Sequence, residues 1–430
     1  MGCAHGAVEA RGALTDARDF APDSTVQITD RRLVLDPRDP AFVRDPYVAY
    51  DVMRRAAPMI YWEDLGFWCF ARHVEVNALL RDRRFGRQIL HKATREELGW
   101  PAPQPHLAAF DAVEQHSLLE LEPPAHTRIR ALVNPPFVPR SIERLAPRIE
   151  ALAHTLIDSF ASRGEADLLT AFAQHLPVLV IAGFLGVPES MAPQLLTWSH
   201  DMVAIYQIRH DRAIEDRAVS ATIAFSAYIR ELIEERRLRP GDDVLSQFLA
   251  ARGSAGDALS TDELVTTAIL LLNAGHEATV HAIGNGAASL LAQHDDGVQQ
   301  FLASPVSVSE EMLRFDPPLH LFTRYALEDL EFNGEHFAKG QKVGLLLAAA
   351  NHDPNRFASP ERFDGTRSPN PHVAFGAGIH ACVGAPLARL ELRTAVRVLF
   401  ERLPTLRLAG DPIVADTWHF RGRSAVHVRW

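Results

Sequence analysis

Cysteine is scarce in this sequence, with three among 430 residues: Cys3, Cys69 and Cys382. Three thiols are too few for the disulfide framework of a small secreted protein. They also fall short of the four thiolates that an iron–sulfur cluster usually takes. Free thiols fit a reducing compartment, and we therefore predict a cytoplasmic protein.

A net positive charge, nucleotide-binding motifs and long apolar runs are also missing. The formal net charge is -10, which argues against nucleic acid as a partner. No G-x-G-x-x-G motif follows a strand-like segment, so the chain has no evident dinucleotide or flavin site and no electron source of its own. No apolar run is long enough for a signal peptide or a membrane span, and no membrane association is predicted.

Hydrophobic residues make up 47% of the chain, which is enough for a large core. Apolar positions at three- and four-residue spacing predict mostly helices. The expected class is therefore mainly α with a minor β portion (α+β). Residues 1–24 are predicted to form a flexible N-terminal segment, and residues 25–430 are predicted to form a single catalytic domain.

Local signals place individual elements along the chain. Ser260 and Glu263 form a capping box before the longest helix candidate, 260–293, and Ser307 with Glu310 predicts a second box. The proline-containing stretch 86–120 is predicted to be a long loop that covers a binding site. Further predicted elements are helices at 47–55, 73–82 and 387–403, hairpins at 60–70 and 330–337, and a strand at 342–346.

The segment Phe375–Gly384 reads FGAGIHACVG and surrounds Cys382. Two glycines before the cysteine and one after it allow a tight turn and a close approach to a flat ligand. A helix is predicted just after the cysteine, and its N-terminal N–H groups favour a thiolate over a thiol. Phe375 would shield the sulfur from water. This pattern suits a metal with one cysteine ligand from the protein and the other ligands from a cofactor.

The same segment resembles the F-G-x-G-x-H-x-C-x-G signature of the cytochrome P-450 family at every fixed position. The resemblance extends from about Asp36 to Trp430 and is nearest to soluble bacterial members. It implies the P-450 fold, a helical bundle with small sheets that encloses heme b (iron protoporphyrin IX). It also implies that Cys382 is the iron ligand, and that the haem-binding loop contains Phe375, Gly376, His380 and Gly384.

Two further sets of residues fit the resemblance. Glu311 and Arg314 form an E-x-x-R motif on one helix, which in the family belongs to a buried structural network rather than a catalytic pair. Haem carries two propionates, so basic groups should converge on them. The resemblance implies that these groups are His126, Arg130, Arg324 and His380.

Ala274–Thr279 reads AGHEAT and resembles the A-G-x-[DE]-T motif of the helix beside the oxygen site. The family uses the acid and the following alcohol to guide protons to dioxygen. Here Glu277 holds the acid position, but Ala278 stands at the alcohol position, and Thr279 lies about 100° further around the helix. Three interpretations stay open: water held by Glu277 delivers the protons, a substrate hydroxyl completes the relay, or Thr279 reaches the site through a distortion at Gly275. Otherwise Thr279 only back-bonds to a helix carbonyl.

Electron supply and substrate contacts follow from family position. Arg389, Arg393 and Arg397 form a basic row at four-residue spacing, which is either a docking surface for an acidic ferredoxin or a solvated face. Substrate contacts are expected from residues 86–120, 199–206 and 319–323 and from the C-terminal tail. The named pocket residues are Ala274, Ala278, Leu319, His320, Leu321, Phe322 and Phe420, with His419 as a further polar candidate.

The resemblance implies a monooxygenase that inserts one oxygen atom of O2 into a small or mid-sized lipophilic substrate. Its electrons would come from NAD(P)H through ferredoxin reductase and ferredoxin. The alternative is a haem-thiolate peroxygenase, desaturase or coupling enzyme, which Ala278 keeps open, although the acid at Glu277 argues against a dedicated peroxygenase. A non-enzymatic haem sensor or carrier is a third class, but no signalling or DNA-binding module is recognisable in the sequence.

Overall fold

Helices carry most of the chain in the computed structural model, which describes residues 26–207, 211–254 and 256–430. The predicted flexible segment 1–24, with Cys3, lies outside these residues. The α-helices are α1 Pro40–Arg44, α2 Tyr47–Ala56, α3 His73–Leu79, α4 Ala108–Glu114, α5 Ala125–Val133, α6 Pro139–Ile142, α7 Ala146–Asp158, α8 His175–Leu185, α9 Ala192–Val203, α10 Arg212–Leu238, α11 Val244–Ala250, α12 Thr261–Leu291, α13 His294–Ala303, α14 Pro305–Phe315, α15 Leu347–Asn351 and α16 Ala385–Arg402.

Short strands form four small sheets. They are β1 Ile28–Thr29, β2 Arg32–Leu33, β3 Met59–Trp62, β4 Phe67–Phe70, β5 Phe85–Gly86, β6 Glu165–Asp167, β7 Leu321–Ala326, β8 Leu330–Phe332, β9 Glu335–Phe337, β10 Lys342–Leu346, β11 Arg407–Leu408, β12 Ile413–Val414, β13 Arg423–Ala425 and β14 His427–Arg429. The largest sheet has the order β1-β2-β3-β4-β10-β7-β5, and the others are β11-β14-β6, β12-β13 and β8-β9. The predicted class, mainly α with a minor β portion, is confirmed.

The central helix is α12, and its start follows the predicted capping box. The backbone N–H of Glu263 donates to Ser260 Oγ over 3.2 Å, and the Glu263 carboxylate accepts from the Ser260 N–H over 2.8 Å. Most side chains of α12 are buried, because it packs against α8, α10 and α16 on different sides. A helix that is apolar nearly all round is expected in such a position.

Strand β7 follows α14 in the chain, and one of its two faces lies toward the cysteine loop. Its side chains alternate between the two faces of the sheet, as in any strand. Phe322 packs in the apolar cluster that contains Ala377 of the cysteine loop. Leu321 packs in a different cluster, with Cys69 and Trp418, on the side of the N-terminal helices.

Two local predictions were wrong. The second capping box does not form, because Pro305 starts α14 two residues before Ser307, whose hydroxyl donates to the Gly365 carbonyl over 2.7 Å. Residues 86–120 are also more ordered than the predicted loop, since a 3-10 turn from Pro105 leads into α4. The predicted hairpins at 60–70 and 330–337 are confirmed as β3–β4 and β8–β9.

Candidate haem-thiolate site

The cysteine loop holds Cys382 at the start of α16. The Cys382 N–H donates to the Phe375 carbonyl over 2.9 Å, which closes the turn. Gly378 has a φ of +73°, and a Cβ there would lie 2.3 Å from the Leu80 carbonyl oxygen, so the loop requires glycine at this position. The Cys382 side chain is itself accessible. The loop therefore presents one sulfur atom to the space beside it.

Electrostatics around the sulfur act in both directions. Burial raises the pKa of the Cys382 thiol, while the N–H groups of Gly384 and Ala385 and the charge of Arg130 lower it. These N–H groups stand at the N-terminus of α16, where a helix stabilises negative charge. Desolvation is the largest of these effects, so the pKa of the thiol is raised overall, and binding of a cation such as iron to the sulfur would offset it.

Phe375 begins this loop, and its ring is held in place by charged neighbours. The Arg389 guanidinium lies 4.5 Å from the Phe375 ring centroid. Arg389 donates twice to Glu310, over 2.7 and 2.9 Å, and His372 Nε2 lies 3.0 Å from the same carboxylate. Although burial opposes it, hydrogen bonds from His372 and Arg389 lower the pKa of Glu310 to about 2. The aromatic shield predicted for the sulfur is therefore fixed by a charged pair.

The predicted propionate ligands come together around one polar cluster. The rings of His126 and His380 lie 4.4 Å apart, and Arg130 Nη2 donates to the Ala381 carbonyl over 2.8 Å. Arg324 is 2% exposed, and burial, followed by the charge of Arg87, lowers its pKa to about 9. Three separate segments of the sequence, namely α5, β7 and the cysteine loop, thus present cationic or donor groups in one cluster.

Sequence reasoning missed two members of this cluster. Glu122 accepts from the Arg87 backbone N–H and lies 3.1 Å from His380 Nε2. The Arg87 side chain reaches Glu120 over 2.5 Å and the Thr323 carbonyl over 3.4 Å. Arg87 follows β5, which pairs with β7, and a two-residue strand gives no usable sequence signal.

These residues fit a haem with two propionates. Both ring nitrogens of His126 are buried and have no hydrogen-bond partner within the described ranges, and burial lowers the pKa of His126 to about 4. The one hydrogen bond of the Arg324 guanidinium in the described part of the chain goes to the carbonyl of the preceding residue. Buried polar groups in native proteins are normally satisfied. Two carboxylates next to His126 and Arg324 would satisfy them.

Replacing Arg324 with glutamine is expected to lower the affinity for haem by about 10- to 100-fold, because a hydrogen bond to a charged group contributes about 1.5–3 kcal/mol. The free energy of unfolding of the haem-free chain should not fall, since the buried Arg324 charge has no carboxylate within hydrogen-bond distance in the described ranges. Haem transfer to a competing apoprotein and urea unfolding measure the two effects. Arg239→Gln, on the exposed end of α10, is the control. Unchanged haem transfer would contradict the propionate assignment.

The motif AGHEAT lies in the middle of α12 and borders an open space. Ala274 is exposed although the helix is packed on several sides, and Glu277 and Ala278 are half-buried. Thr279 is buried and its hydroxyl donates to the Gly275 carbonyl over 2.9 Å. The interpretation in which Thr279 reaches the site through a distortion is therefore wrong, because α12 is regular there. Thr279 back-bonds instead.

Part of the predicted substrate pocket lies close together. Leu319 pairs with Phe420 in an isolated antiparallel bridge, which brings the C-terminal tail next to the start of β7. Phe322 is half-buried and lies against Gly376 of the cysteine loop. Phe110 of α4 and Tyr206, just after α9, have ring centroids 6.0 Å apart, so the two predicted covering segments meet.

Two pocket predictions were wrong. His320 is fully buried, and its Nδ1 lies 2.9 Å from the Tyr50 hydroxyl, on the side of α2. Leu321 packs toward the same N-terminal helices. Family position marked a run of consecutive residues, but Leu321 and Phe322 are neighbours in β7 and therefore face opposite sides of the sheet, and His320, which precedes the strand, is held by the Tyr50 hydroxyl. His419 is half-buried beside Phe420.

The basic row on α16 is neutralised within the chain. Arg389 pairs with Glu310, Arg393 with Glu143, and Arg397 with both Glu150 and Glu401. The row is therefore a set of intramolecular ion pairs rather than a free cationic surface. On the neighbouring segment, Arg140 and Arg144 are exposed, and no ion pair is formed by either in the part of the chain that the structure describes.

The E-x-x-R motif forms a fully buried network, as predicted. Arg314 donates to both Glu311 oxygens, over 2.8 and 2.7 Å, and both side chains have 0% exposure. Arg314 also donates to the carbonyls of Asn351 and Pro360, and Asn351 accepts from the Val373 N–H. The pair therefore ties α14 to the segment that leads into the cysteine loop.

Across the ranges given above, no helix has the length and apolarity to cross a membrane. Over the same ranges, no three His, Cys, Asp or Glu side chains are grouped to hold a metal ion by themselves.

Comparisons with known proteins identify the family of the chain. The family described as Cytochrome P-450 matches residues 306–406. Cytochrome P-450 107B1 of Saccharopolyspora erythraea is 38% identical over 385 residues, which cover 87% of this chain and 91% of that protein. Cytochrome P-450 monooxygenase PikC of Streptomyces venezuelae is 36% identical, with 90% and 92% covered. The crystal structure of P-450BioI in complex with an acyl carrier protein ligated to hexadec-9Z-enoic acid has a TM-score of 0.82 at 33% identity, with 91% and 99% covered.

Proposed function

The chain belongs to the cytochrome P-450 family, and we propose that it uses Cys382 to oxidise a small or mid-sized lipophilic substrate bound between α12, the start of β7 and the tail at Phe420. It is a haem-thiolate monooxygenase. The reaction takes RH, O2, two electrons and two protons to ROH and water. The observation that carries the assignment is the accessible Cys382 sulfur at the start of α16, next to a basic cluster in which both ring nitrogens of His126 are buried without a hydrogen-bond partner in the described ranges.

Each part of the site has a separate task. Heme b, bound through the Cys382 thiolate, supplies the redox chemistry that activates O2. His126, Arg130, Arg324 and His380 hold and orient its propionates, together with Arg87. Phe375, fixed under Arg389, keeps water from the sulfur, and the Gly384 and Ala385 N–H groups hold its negative charge.

The proposed substrate class follows from the side chains around the open face of α12. Ala274, Ala278, Leu319, Phe322 and Phe420 are apolar and only partly covered, and apolar walls with few polar groups are typical of sites for lipophilic ligands. One similar protein was crystallised with an acyl carrier protein bearing hexadec-9Z-enoic acid, which supports including acyl chains among the candidates.

Titrating the purified ferric protein with fatty, terpenoid and aromatic compounds tests this proposal. A ligand that displaces water from the iron should shift the Soret band toward the high-spin form, and the compounds that do so define the substrate class. If no compound shifts the band while the reduced protein with carbon monoxide gives the thiolate-type band, the proposed substrate class is wrong. If the thiolate-type band is missing as well, the assignment of Cys382 is wrong.

We also propose ferredoxin, reduced by an NAD(P)H-dependent ferredoxin reductase, as the electron donor in the cytoplasm. Arg140 and Arg144 lie beside α16 without acidic partners in the described ranges, so they offer the free positive charge that the neutralised row on α16 does not. Reduction by ferredoxin should slow as ionic strength rises, since the Debye length falls from about 10 Å at 0.1 M salt to about 3 Å at 1 M.

Stopped-flow reduction of Arg140→Glu/Arg144→Glu checks the docking surface. The variant should be reduced more slowly than wild type by ferredoxin but at the same rate by dithionite, while Arg239→Glu should behave as wild type with both. Reduction that is insensitive to salt and to these charge reversals would refute docking at this surface.

A peroxide-driven enzyme is the second candidate. Ala278 has no hydroxyl and Thr279 is engaged by the Gly275 carbonyl, so neither side chain delivers protons in the way the family motif implies. Comparing turnover with hydrogen peroxide against turnover with O2 and a ferredoxin system separates the two. Higher product yield with peroxide alone would favour the second candidate.

A further inference from the structure

Polar side chains occupy every fourth position along one edge of the open face of α12. Asn273, Glu277 and His281 are each only partly buried, and the spacing of four places them above one another on the helix. The adjacent line, with Ala274 and Ala278, is apolar. The helix therefore presents a polar line and an apolar line side by side toward the same space.

Each member of the polar line has an unsatisfied buried atom. Asn273 Oδ1, Glu277 Oε2 and His281 Nδ1 have no hydrogen-bond partner in the described part of the chain. Buried polar atoms in native proteins bind either protein groups or ordered water. Successive members are separated by about 6 Å along the helix axis, which is a distance that one or two water molecules bridge.

Glu277 and His281 are the two titratable members, and they face each other. Glu277 Oε1 lies 3.9 Å from His281 Nε2. The other edge of the imidazole packs on the tail, because a Cβ at Gly422 would lie 1.9 Å from His281 Nδ1. The tail thus fixes the ring with Nε2 toward Glu277.

The charged and titratable groups around Glu277 and His281 belong to α9 and to the C-terminal tail. His200 of α9 acts on both Glu277 and His281. In the tail, the Arg421 and Arg423 side chains flank Gly422 but both donate to Asp316 over 2.8 Å. Burial raises the pKa of Glu277 and lowers the pKa of His281 to about 4. A proton that reaches His281 is therefore passed on readily, because burial weakens proton binding by the imidazole and strengthens it at the Glu277 carboxylate.

We propose that His281 passes protons to Glu277, which delivers them through water to the dioxygen being reduced, in place of the hydroxyl missing at position 278. His281 takes up a proton from the water chain at Nε2, the ring edge that the tail leaves free, and passes it from the same nitrogen through water to the Glu277 carboxylate, so the neutral ring is restored before the second proton arrives. Two protons enter in each turnover and leave as one water molecule. His281 acts through Glu277 and is a positioning and relay residue. The proposal rests on the monooxygenase function above and selects the water-based interpretation of the missing alcohol.

Replacing His281 with glutamine tests the relay in the holoenzyme. The product formed per NAD(P)H consumed with O2 and ferredoxin should fall by about tenfold, at the lower end of proton-transfer contributions, with peroxide released instead. Product formation driven by hydrogen peroxide should be unchanged, because RH and H2O2 give ROH and water without external protons. His276→Gln is the matched control, since His276 lies on the same helix but bonds to the Gln174 carbonyl.

A rescue experiment separates a relay from a packing role. Ala278→Thr installs the missing alcohol, so it should restore coupling in the His281→Gln background and change little in the wild type. If His281→Gln does not fold, as judged by its carbon monoxide band, His281→Asn is used in its place. Equal gains from Ala278→Thr in both backgrounds, or full coupling in His281→Gln, would overturn the proposal.

An infrared measurement tests the pair without turnover. Photolysis of carbon monoxide from the reduced holoenzyme should reveal a protonated carboxyl band that is absent in Glu277→Gln. In His281→Gln the pH at which this band disappears should shift, whereas His276→Gln should leave it unchanged. If the band disappears at the same pH in His281→Gln as in wild type, His281 is not coupled to Glu277. If wild type yields no product from O2 although His281→Gln shifts the pH at which the band disappears, the monooxygenase proposal is wrong while the coupling of Glu277 to His281 is supported.

Discussion

Cys382→Ser is expected to abolish the thiolate-type carbon monoxide band and to reduce product formation to background. A serine hydroxyl is not deprotonated by the N–H groups of Gly384 and Ala385 that favour the thiolate, and it donates far less electron density to iron. The haem content of the purified variant and the spectrum of its reduced carbon monoxide complex measure the effect.

Cys69→Ala is the matched control for this substitution. Cys69 is fully buried in β4, and burial raises the pKa of its thiol, so it is an inert packing residue. Its replacement should cost only the free energy of a small cavity, about 1 kcal/mol, and should leave the band intact. A thiolate-type band in Cys382→Ser, or its loss in Cys69→Ala, would show that the iron ligand has been assigned to the wrong residue.

Glu311→Gln is expected to have the second-largest effect, on folding rather than chemistry. The substitution leaves the Arg314 guanidinium buried without its carboxylate and also removes the partner of Arg367, which lies 3.1 Å from Glu311. Removing one member of a buried pair costs about 3–5 kcal/mol. Urea unfolding of the holoenzyme should show this loss, with a lower yield of haem-loaded protein.

Two comparisons separate the buried pair from ordinary surface pairs. Glu401→Gln breaks the Arg397–Glu401 pair on the exposed side of α16 and should cost less than about 1 kcal/mol. In Glu311→Gln/Arg314→Met, no guanidinium charge is left buried without its carboxylate. The loss in the free energy of unfolding should therefore be smaller than the sum of the losses in the two single variants. Additive effects would mean that the two side chains do not stabilise the fold as a pair.

The propionate cluster contains residues that the sequence can bring together and residues that it cannot. His126 and Arg130 are one helical turn apart on α5, and this spacing by itself indicates a shared face. Arg87 and Glu122 could not be found in this way. Arg87 is brought to the cluster by the pairing of β5 with β7, and Glu122 joins it by contacting His380. No local pattern encodes such contacts.

The proton pair on α12 shows the same limit. The motif AGHEAT reveals that the alcohol at position 278 is missing, but it does not indicate a replacement. The sequence does not single out His281, because a lone histidine on an apolar helix has no specific meaning. Only the packing of Gly422 against its ring shows which way its Nε2 points.

The sequence by itself determined the family, the mainly helical class and the start of α12, and it predicts Cys382 as the thiolate ligand. These follow from residues that are adjacent or one helical turn apart, where local geometry is nearly fixed. Only the tertiary structure decided that His320 and Leu321 face the N-terminal helices, that the basic row on α16 is neutralised, and that Thr279 bonds to its own helix. Those outcomes depend on partners brought from distant segments, because the packing of the whole chain determines which side of a residue is buried and which charge lies next to it.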